Sequence, residues 1–166
     1  MSTRILALNH GQIAIVDDRD YEIVRNVTWF AIKKGNTWYA TGRLHGRNQY
    51  LHRVIMEAQQ GQIVDHIDGD GLNNSRSNLR LCTIQQNVQN RRGVQRNNSS
   101  GYLGVCKHQG RFKATICADG KTHYLGMYAT AEEAAFARDD AAIRLHGEFA
   151  ATNAGLGLQP SQGAHR

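Results

Sequence analysis

Three side chains near the middle of the chain, Asp65, His66 and Asn87, are of the types that activate water beside a metal ion. A carboxylate oxygen and an amide oxygen suit a hard cation such as Mg²⁺, which keeps several waters and takes phosphate oxygens. A neutral imidazole beside that cation can take a proton from water, because its ordinary pKa of ~6.5 lies near neutrality. The candidate chemistry is therefore metal-assisted hydrolysis.

These candidates fall within a predicted series of a strand, a loop, a second strand and a helix. The loop, residues 68–77, is polar and contains glycines, and an apolar and basic strand follows at residues 78–82. Thr83 with Gln86 three residues later has the capping-box pattern of a helix start, which places Asn87 within the first two turns. This order of elements would bring the three candidates together.

The same segment resembles the HNH endonuclease family, in the branch whose last histidine is replaced by asparagine. The resemblance is carried by DHIDGD at residues 65–70, NNSRSNLR at residues 73–80 and QNVQN at residues 86–90. It implies a ββα-metal element and hydrolysis of a DNA phosphodiester with Mg²⁺ or Mn²⁺.

The resemblance also implies a role for each matching residue. Asp65 and Asn87 would bind the divalent metal, His66 would be the general base, and Asn78 would brace the loop through backbone hydrogen bonds. The metal would stabilise the developing charge and the leaving 3′-oxygen.

Composition limits the class of protein. The length of 166 residues predicts one domain or two small ones. Residues 1–20 lack the apolar core of a signal peptide, and no apolar run is long enough to span a bilayer. Cys82, Cys106 and Cys117 form no CxxC pair, which argues against a disulfide framework and against a structural zinc site. A cytoplasmic protein is therefore expected.

The net charge of +6 is concentrated in one interval, because no acidic residue lies between Asp70 and Asp119. The basic residues there are Arg76, Arg80, Arg91, Arg92, Arg96, Lys107, Arg111 and Lys113. A charge run is usually a solvated surface, but this one begins beside the candidate hydrolytic site. It therefore favours a polyanionic partner bound through phosphate neutralisation and counterion release, with Arg76 or Arg80 on a neighbouring phosphate.

The N-terminal residues predict two β-hairpins with a short helix between them. The hairpins cover residues 5–16 and 28–44, with turns at 9–11 and 34–36. The aromatic residues expected in the core of the second hairpin, with stacking on bases as the alternative, are Trp29, Phe30, Trp38 and Tyr39.

Residues 50–58 have helical apolar spacing, and Gly61 would end that helix. His52 and Arg53 on this element recur in the same endonuclease branch. Either residue could contact DNA, or His52 could be a structural histidine against the nuclease core.

From Gly101 onward, three short alternating runs predict a three-stranded antiparallel sheet with turns at residues 109–110 and 119–120. A helix over residues 130–146 follows, with Thr130 and Glu133 as its capping box. Gly147 would end that helix, and its alanine stripe predicts close packing on the sheet.

Residues 101–153 resemble the plant ethylene-response-factor, or Apetala-type (AP2/ERF), DNA-binding domain. The landmarks are GYLGV at 101–105, GRFKA at 110–114, YLG at 124–126, TAEEAAFARDDAA at 130–142 and HGEFAATN at 146–153. The resemblance implies that the sheet lies in the DNA major groove, but Leu103, Cys106 and Phe112 replace arginines or a tryptophan of the family. The remaining candidates on the exposed sheet face are Lys107, His108, Arg111, Lys113, Thr115 and Lys121.

The sequence thus predicts an α+β protein in which β-hairpins and a ββα-metal HNH element precede a three-stranded antiparallel sheet packed on one helix. The predicted divisions are a nuclease domain at 1–92, a basic linker at 93–100, a DNA-binding domain at 101–153 and a disordered tail at 154–166. Arg91, Arg92 and Arg96 in and beside the linker are expected to follow the phosphate backbone.

The predicted function is that of a site-directed, nicking homing endonuclease of phages and bacteria. It would act as a monomer on double-stranded DNA in the cytoplasm of a bacterial host. One alternative is a DNA-binding transcription regulator without catalysis, which the intact Asp65, His66 and Asn87 disfavour. A nuclease that acts on RNA is the other alternative.

Overall fold

The structure is a computed structural model that describes residues 2–89, 94 and 98–158. The chain divides into two compact units, Met1–Ile84 and Gln85–Arg166. Small antiparallel sheets and a few helices make up both units.

The strands of the described chain are β1 (Thr3–Ala7), β2 (Ile13–Asp17), β3 (Trp29–Lys34), β4 (Thr37–Leu44), β5 (Arg47–Tyr50), β6 (Ile63–His66), β7 (Leu79–Cys82), β8 (Val105–His108), β9 (Arg111–Ala118) and β10 (Lys121–Tyr128). The α-helices are α1 (Asp18–Val24), α2 (Leu51–Ile55), α3 (Ile84–Gln89) and α4 (Ala131–His146). Short 3₁₀ turns lie at Asn9–Gly11, Arg76–Asn78 and Gly147–Phe149.

The two hairpins predicted for the first unit are confirmed. β1 pairs with β2 and β3 pairs with β4, while β6 and β7 form a third antiparallel pair. Their alternating apolar residues place one face of each hairpin in a common core. That core contains Leu6, Ala14, Val16, Val24, Trp29, Ala40, Leu51, Ile55, Val64, Leu72 and Leu79. Because Val64 belongs to it, the end of β6 is anchored one residue before Asp65.

Two local predictions for the first unit are wrong, and one strand was not predicted. The helix expected over residues 50–58 is only α2, because the chain turns at Glu57, whose φ is +49°. β5 adds a third strand beside β4, and its polar sequence RNQY gave no apolar alternation to predict it. Phe30 is 48% exposed rather than in the core, whereas its neighbour Trp29 is 5% exposed.

The sheet and helix predicted for the second unit are confirmed. The strand order is β10–β9–β8, all antiparallel, and α4 packs its alanines on one face of this sheet. The Thr130 hydroxyl accepts a hydrogen bond from the Glu133 backbone at 3.2 Å, and the Glu133 carboxylate accepts one from the Thr130 backbone at 3.3 Å. The predicted capping box is therefore present, and Gly147 with a φ of +55° ends the helix.

Asn153 joins the end of the second unit to its beginning. Its side-chain oxygen accepts a hydrogen bond from the Leu103 backbone at 2.7 Å, and its amide nitrogen donates to Asp139 at 2.9 Å. The residue is 2% exposed, so these bonds form in the interior.

None of the helices in the described part of the chain has the length and apolar character needed to cross a membrane.

Candidate active site

Asp65 and His66 are the last two residues of β6, where the pairing with β7 ends at Leu79. Asp65 is 7% exposed and His66 is 5% exposed. Such burial is uncommon for ionisable side chains unless they have partners. The surroundings of these two residues therefore determine what they can do.

The carboxylate of Asp65 is paired with Arg80, its neighbour across the β6–β7 ladder. The Arg80 Nη2 and Nε atoms donate to Asp65 Oδ2 at 2.8 and 3.0 Å. Because a buried carboxylate needs compensation, this ion pair supplies a partner for Asp65 at the end of the strand. Arg80, predicted to hold a phosphate, thus has an internal partner, and its phosphate contact stays a prediction.

Side chains from three different parts of the first unit surround His66. The ring centroid of His52 on α2 lies 5.0 Å away and that of Tyr39 on β4 lies 5.8 Å away, with angles of 85° and 63° between the ring planes. On the other side, His66 Nε2 lies 3.5 Å from Asn74 Oδ1. Burial lowers the pKa of His66 below its usual value, although Asn74 and the nearby carboxylates act in the opposite direction. The imidazole is therefore kept neutral, the form that accepts a proton.

His52 is a structural histidine of this site. It stacks on Tyr50 with a centroid distance of 5.2 Å, and burial lowers its pKa to about 3. Its neighbour Arg53 donates to the backbone carbonyls of Ala58, Gln59 and Gln62 and so closes the turn after α2. Of the two interpretations of His52, the structure therefore supports packing against the nuclease core.

Asn78 connects the two ends of the loop that follows His66. Its amide nitrogen donates to Asp68 Oδ1 and to the Asn73 carbonyl, both at 2.8 Å. Its side-chain oxygen accepts from the Asp68 backbone at 3.0 Å. These three bonds have the geometry expected of a loop brace.

Two residues of the same loop were missed by sequence reasoning. Asn74 is fully buried, with its amide nitrogen on the Leu72 carbonyl and its oxygen facing His66. Gly71 packs so closely on β4 that a Cβ atom there would lie 2.3 Å from the Trp38 carbonyl oxygen and 2.7 Å from the Tyr39 ring. The consecutive asparagines and the repeated glycines were the available signals, but neither shows which residue makes the long-range contact.

Arg76 is held inside the first unit. Its Nε atom donates to both Asp20 oxygens at 3.1 and 2.9 Å, its Nη2 atom donates to Asp20 Oδ1 at 2.8 Å, and its backbone donates to Asp17. Asp20 is 1% exposed, so this pair joins α1 to the loop. The predicted phosphate contact of Arg76 stays a prediction, but this side chain already has a partner.

Asn87 lies on α3 and is exposed. Within the described residues, no group of three or more His, Cys, Asp or Glu side chains could hold a metal ion. The donor types nevertheless fit Mg²⁺, which needs few protein oxygens and keeps several waters. A carboxylate offers about four lone-pair positions, and the two Arg80 bonds described above end on one Asp65 oxygen, Oδ2.

In the second unit, the strand register separates the predicted DNA contacts into two groups. His108, Arg111, Lys113 and Thr115 occupy register positions on the face away from α4. Lys107 pairs with Phe112 and Lys121 with Ala118, which puts both lysines on the α4 side, although their side chains are exposed. The expectation that all six share one face is therefore wrong for these two, because side chains alternate along a strand.

Tyr124 was not among the predicted contacts. It pairs with Thr115 on the face away from α4 and is 62% exposed. Arg91, Arg92 and Arg96, predicted to follow the phosphate backbone, lie outside the described residues.

Comparison with known proteins finds a family pattern and several relatives for this chain. The pattern of the HNH endonuclease family matches residues 49–89, which include α2, β6, β7 and α3. An uncharacterized HNH endonuclease, L560 of Acanthamoeba polyphaga mimivirus, is 35% identical over 153 residues, which are 90% of this chain and 79% of the relative.

Two further relatives cover parts of the chain. Protein 3.8 of Escherichia phage T7 is 33% identical over 106 residues, 60% of this chain and 86% of the phage protein. The AP2-like ethylene-responsive transcription factor AIL7 of Arabidopsis thaliana is 51% identical over 59 residues, 33% of this chain and 12% of the factor. With a family pattern over the site and a relative aligned along most of both chains, this protein belongs to the HNH endonuclease family and carries an AP2-like region.

Proposed function

We propose that the chain is a DNA endonuclease that hydrolyses a phosphodiester bond with a divalent metal. The observation that carries the proposal is the pair at the end of β6. A buried histidine kept neutral by its surroundings lies directly beside a carboxylate held by an arginine. Membership of the HNH endonuclease family supports the same reaction.

In this proposal each polar residue of the site has a separate task. His66 takes a proton from the attacking water, for which its neutral imidazole is the required form. Asp65 and Asn87 hold Mg²⁺ or Mn²⁺, and Asn78 keeps the loop in place beside them. The bound cation supplies stabilisation of negative charge on the phosphate and on the leaving 3′-oxygen.

The proposal also covers the arrangement of the elements, the DNA-docking region and the mode of cleavage. β6, β7 and α3 would form the ββα-metal arrangement of the family, within a nuclease domain that ends near residue 92. Residues 101–153 would dock double-stranded DNA, and the chain would nick its target as a monomeric homing endonuclease. The viral and phage relatives support a mobile element that acts in the cytoplasm of a host cell.

Asp65 provides the test of metal dependence. Asp65→Asn keeps the size and an acceptor oxygen but removes the charge that attracts a cation. Removal of only a hydrogen-bond partner of a metal ligand typically lowers activity by ~10–100-fold. Because Asp65→Asn changes the ligand itself, its cleavage should fall by more than this. Asp18→Asn, which changes an exposed carboxylate paired with Arg4, is the matched control and should cleave normally. Undiminished cleavage by the wild type in excess chelator would refute the metal mechanism.

The second candidate function is transcription regulation without cleavage. It is favoured by the 51% identity over 59 residues to a plant protein named as a transcription factor. The same assay separates the two functions, because a regulator would bind the DNA and leave it intact with Mg²⁺ present.

A further inference from the structure

We infer that one face of the β3–β4–β5 sheet is a second DNA-binding surface, which contacts the phosphate backbone beside the cleaved bond. This inference rests on the proposed function, since it takes DNA as the substrate. The surface, called the open face below, consists of Phe30, Ile32, Lys34, Thr37, Tyr39, Thr41, Arg43, Asn48 and Tyr50.

The strand register defines the open face. Trp29 and Ala31 on β3 and Ala40 on β4 are buried and pair on the core side of the sheet. The residues between them must point to the opposite side, because successive side chains alternate. Phe30 is the clearest example, since its aromatic side chain is 48% exposed and therefore does not belong to the core.

The charge of the open face fits a polyanion. No aspartate or glutamate occurs between Glu22 and Glu57, an interval that contains the whole sheet. The basic residues of that interval are Arg25, Lys33, Lys34, Arg43, Arg47 and Arg53. Lys34 and Arg43 are exposed on the open face, and the Lys34 ammonium lies 5.1 Å above the ring of Tyr50.

The open face is continuous with the candidate catalytic histidine. Tyr39 lies in the middle strand, and its ring is 5.8 Å from the ring of His66 and 6.0 Å from that of Tyr50. Gly71, in the loop that follows His66, packs directly on Tyr39. A DNA strand with a phosphodiester at His66 would therefore run along this face for as long as it stays in contact with the protein.

The residue types indicate contacts to the backbone rather than to base edges. Lysine and arginine side chains neutralise phosphates, and hydroxyl and amide groups such as Thr41 and Asn48 bond phosphate and sugar oxygens. Such contacts position a protein on DNA without reading its sequence. The face would thus hold the DNA next to the scissile bond, while sequence choice is made elsewhere.

The test uses the full chain with Lys34→Ala and Arg43→Ala combined. Binding of a short fluorescent duplex is measured over a range of salt concentrations without divalent metal. The magnitude of the slope of log K against log salt should fall by up to ~1.8, which is ~0.9 for each lost phosphate contact. The matched control is Arg19→Ala with Arg25→Ala, because both are exposed arginines at α1 that pair with Asp20 and Glu22. Its slope should equal that of the wild type.

A slope for the Lys34/Arg43 variant equal to that of the wild type would overturn the inference. So would an equal loss of slope in the control, because the effect would then reflect net charge alone. The assay contains no metal and scores no cleavage, so its result is independent of whether the chain is a nuclease. If the wild type fails to cleave, the proposed function fails while a reduced slope still supports the surface.

Discussion

At the scale of single residues, the two buried histidines differ in the groups that act on their rings. His66 and His52 have touching rings, and burial lowers the pKa of both. His66 also has Asn74 and three carboxylates acting on it, which favour its protonated form. His52 has no such compensation, so its pKa falls to about 3 and its ring is neutral near pH 7.

The first prediction follows from the low pKa of His52. An unfolded histidine takes up a proton below about pH 6.5, whereas the folded one does so only near pH 3. Between these values the unfolded state binds more protons, so stability falls as the pH falls, by ~1.4 kcal/mol per pH unit for one such group. His52→Phe keeps a ring and removes this titration, and its stability should therefore depend less steeply on pH.

Urea unfolding at pH 7 and pH 5 measures this difference. Both tryptophans of the chain, Trp29 and Trp38, lie in the first unit, so selectively excited tryptophan fluorescence follows that unit. His66 contributes in the same direction and stays in the variant, so the slope should be reduced rather than abolished. An identical drop in the two proteins would show that His52 is not a buried neutral group.

The sequence indicated the candidate reacting residues better than their partners. Asp65 and His66 were predicted because they lie side by side at the end of an apolar strand in a recognisable pattern. That Arg76 pairs with Asp20 and Arg80 with Asp65 was not predicted, because the first pair joins residues 56 positions apart. A basic residue beside a catalytic motif looks the same in the sequence whether it faces DNA or an internal carboxylate.

At the scale of elements, the loop between β6 and β7 is the part that needs most support. It contains no regular structure except the 3₁₀ turn, so its shape depends on side-chain hydrogen bonds to its backbone. Asn78 supplies two of these bonds and a third to the Asp68 side chain, and Gly71 allows the loop to approach β4. His66 stands at the beginning of this loop, so movement of the loop would change its surroundings.

Asn78→Ala should therefore reduce both stability and cleavage. The variant loses three partly buried hydrogen bonds, each worth ~0.5–1.5 kcal/mol. We expect a loss of about 2–3 kcal/mol in the free energy of unfolding of the first unit. Asn26→Ala, at an exposed position, is the control and should change stability by less than ~0.5 kcal/mol. Normal stability and normal cleavage of the Asn78 variant would show that the loop does not depend on this brace.

The elements that could be predicted are those whose signals are local. The capping box of α4 and the glycine turns of β8–β10 are set by residues within a few positions of each other. The end of α2 and the presence of β5 depend on tertiary contacts, since Arg53 closes the turn and β4 supplies the partner strand. Phe30 was placed in the core because hydrophobic type alone does not show which face of a strand is covered.

At the scale of the whole molecule, two basic intervals lie in the two units. Residues 23–56 belong to the first unit, and most of residues 71–118 belong to the second. Between the nuclease element and the AP2-like sheet lie Arg91, Arg92 and Arg96. If one duplex is held by both units, these arginines should contribute phosphate contacts of their own.

Replacing Arg91, Arg92 and Arg96 together by alanine tests that expectation. Binding should weaken on all DNA sequences, because phosphate contacts carry no sequence information. The salt slope should fall in magnitude by up to ~2.7, at ~0.9 per contact. Unchanged slopes would mean that this segment is only a spacer between the two units.

The central claim is that His66 is the base of a metal-dependent DNA nuclease, and a supercoiled plasmid assay with Mg²⁺ tests it most directly. Wild type and His66→Ala are compared, with His10→Asn as the control because His10 is an exposed histidine whose positive φ asparagine tolerates. Wild type and control should cut the plasmid, whereas His66→Ala should leave it supercoiled while binding the same DNA equally well without metal. Cleavage by His66→Ala at the wild-type rate would contradict the account.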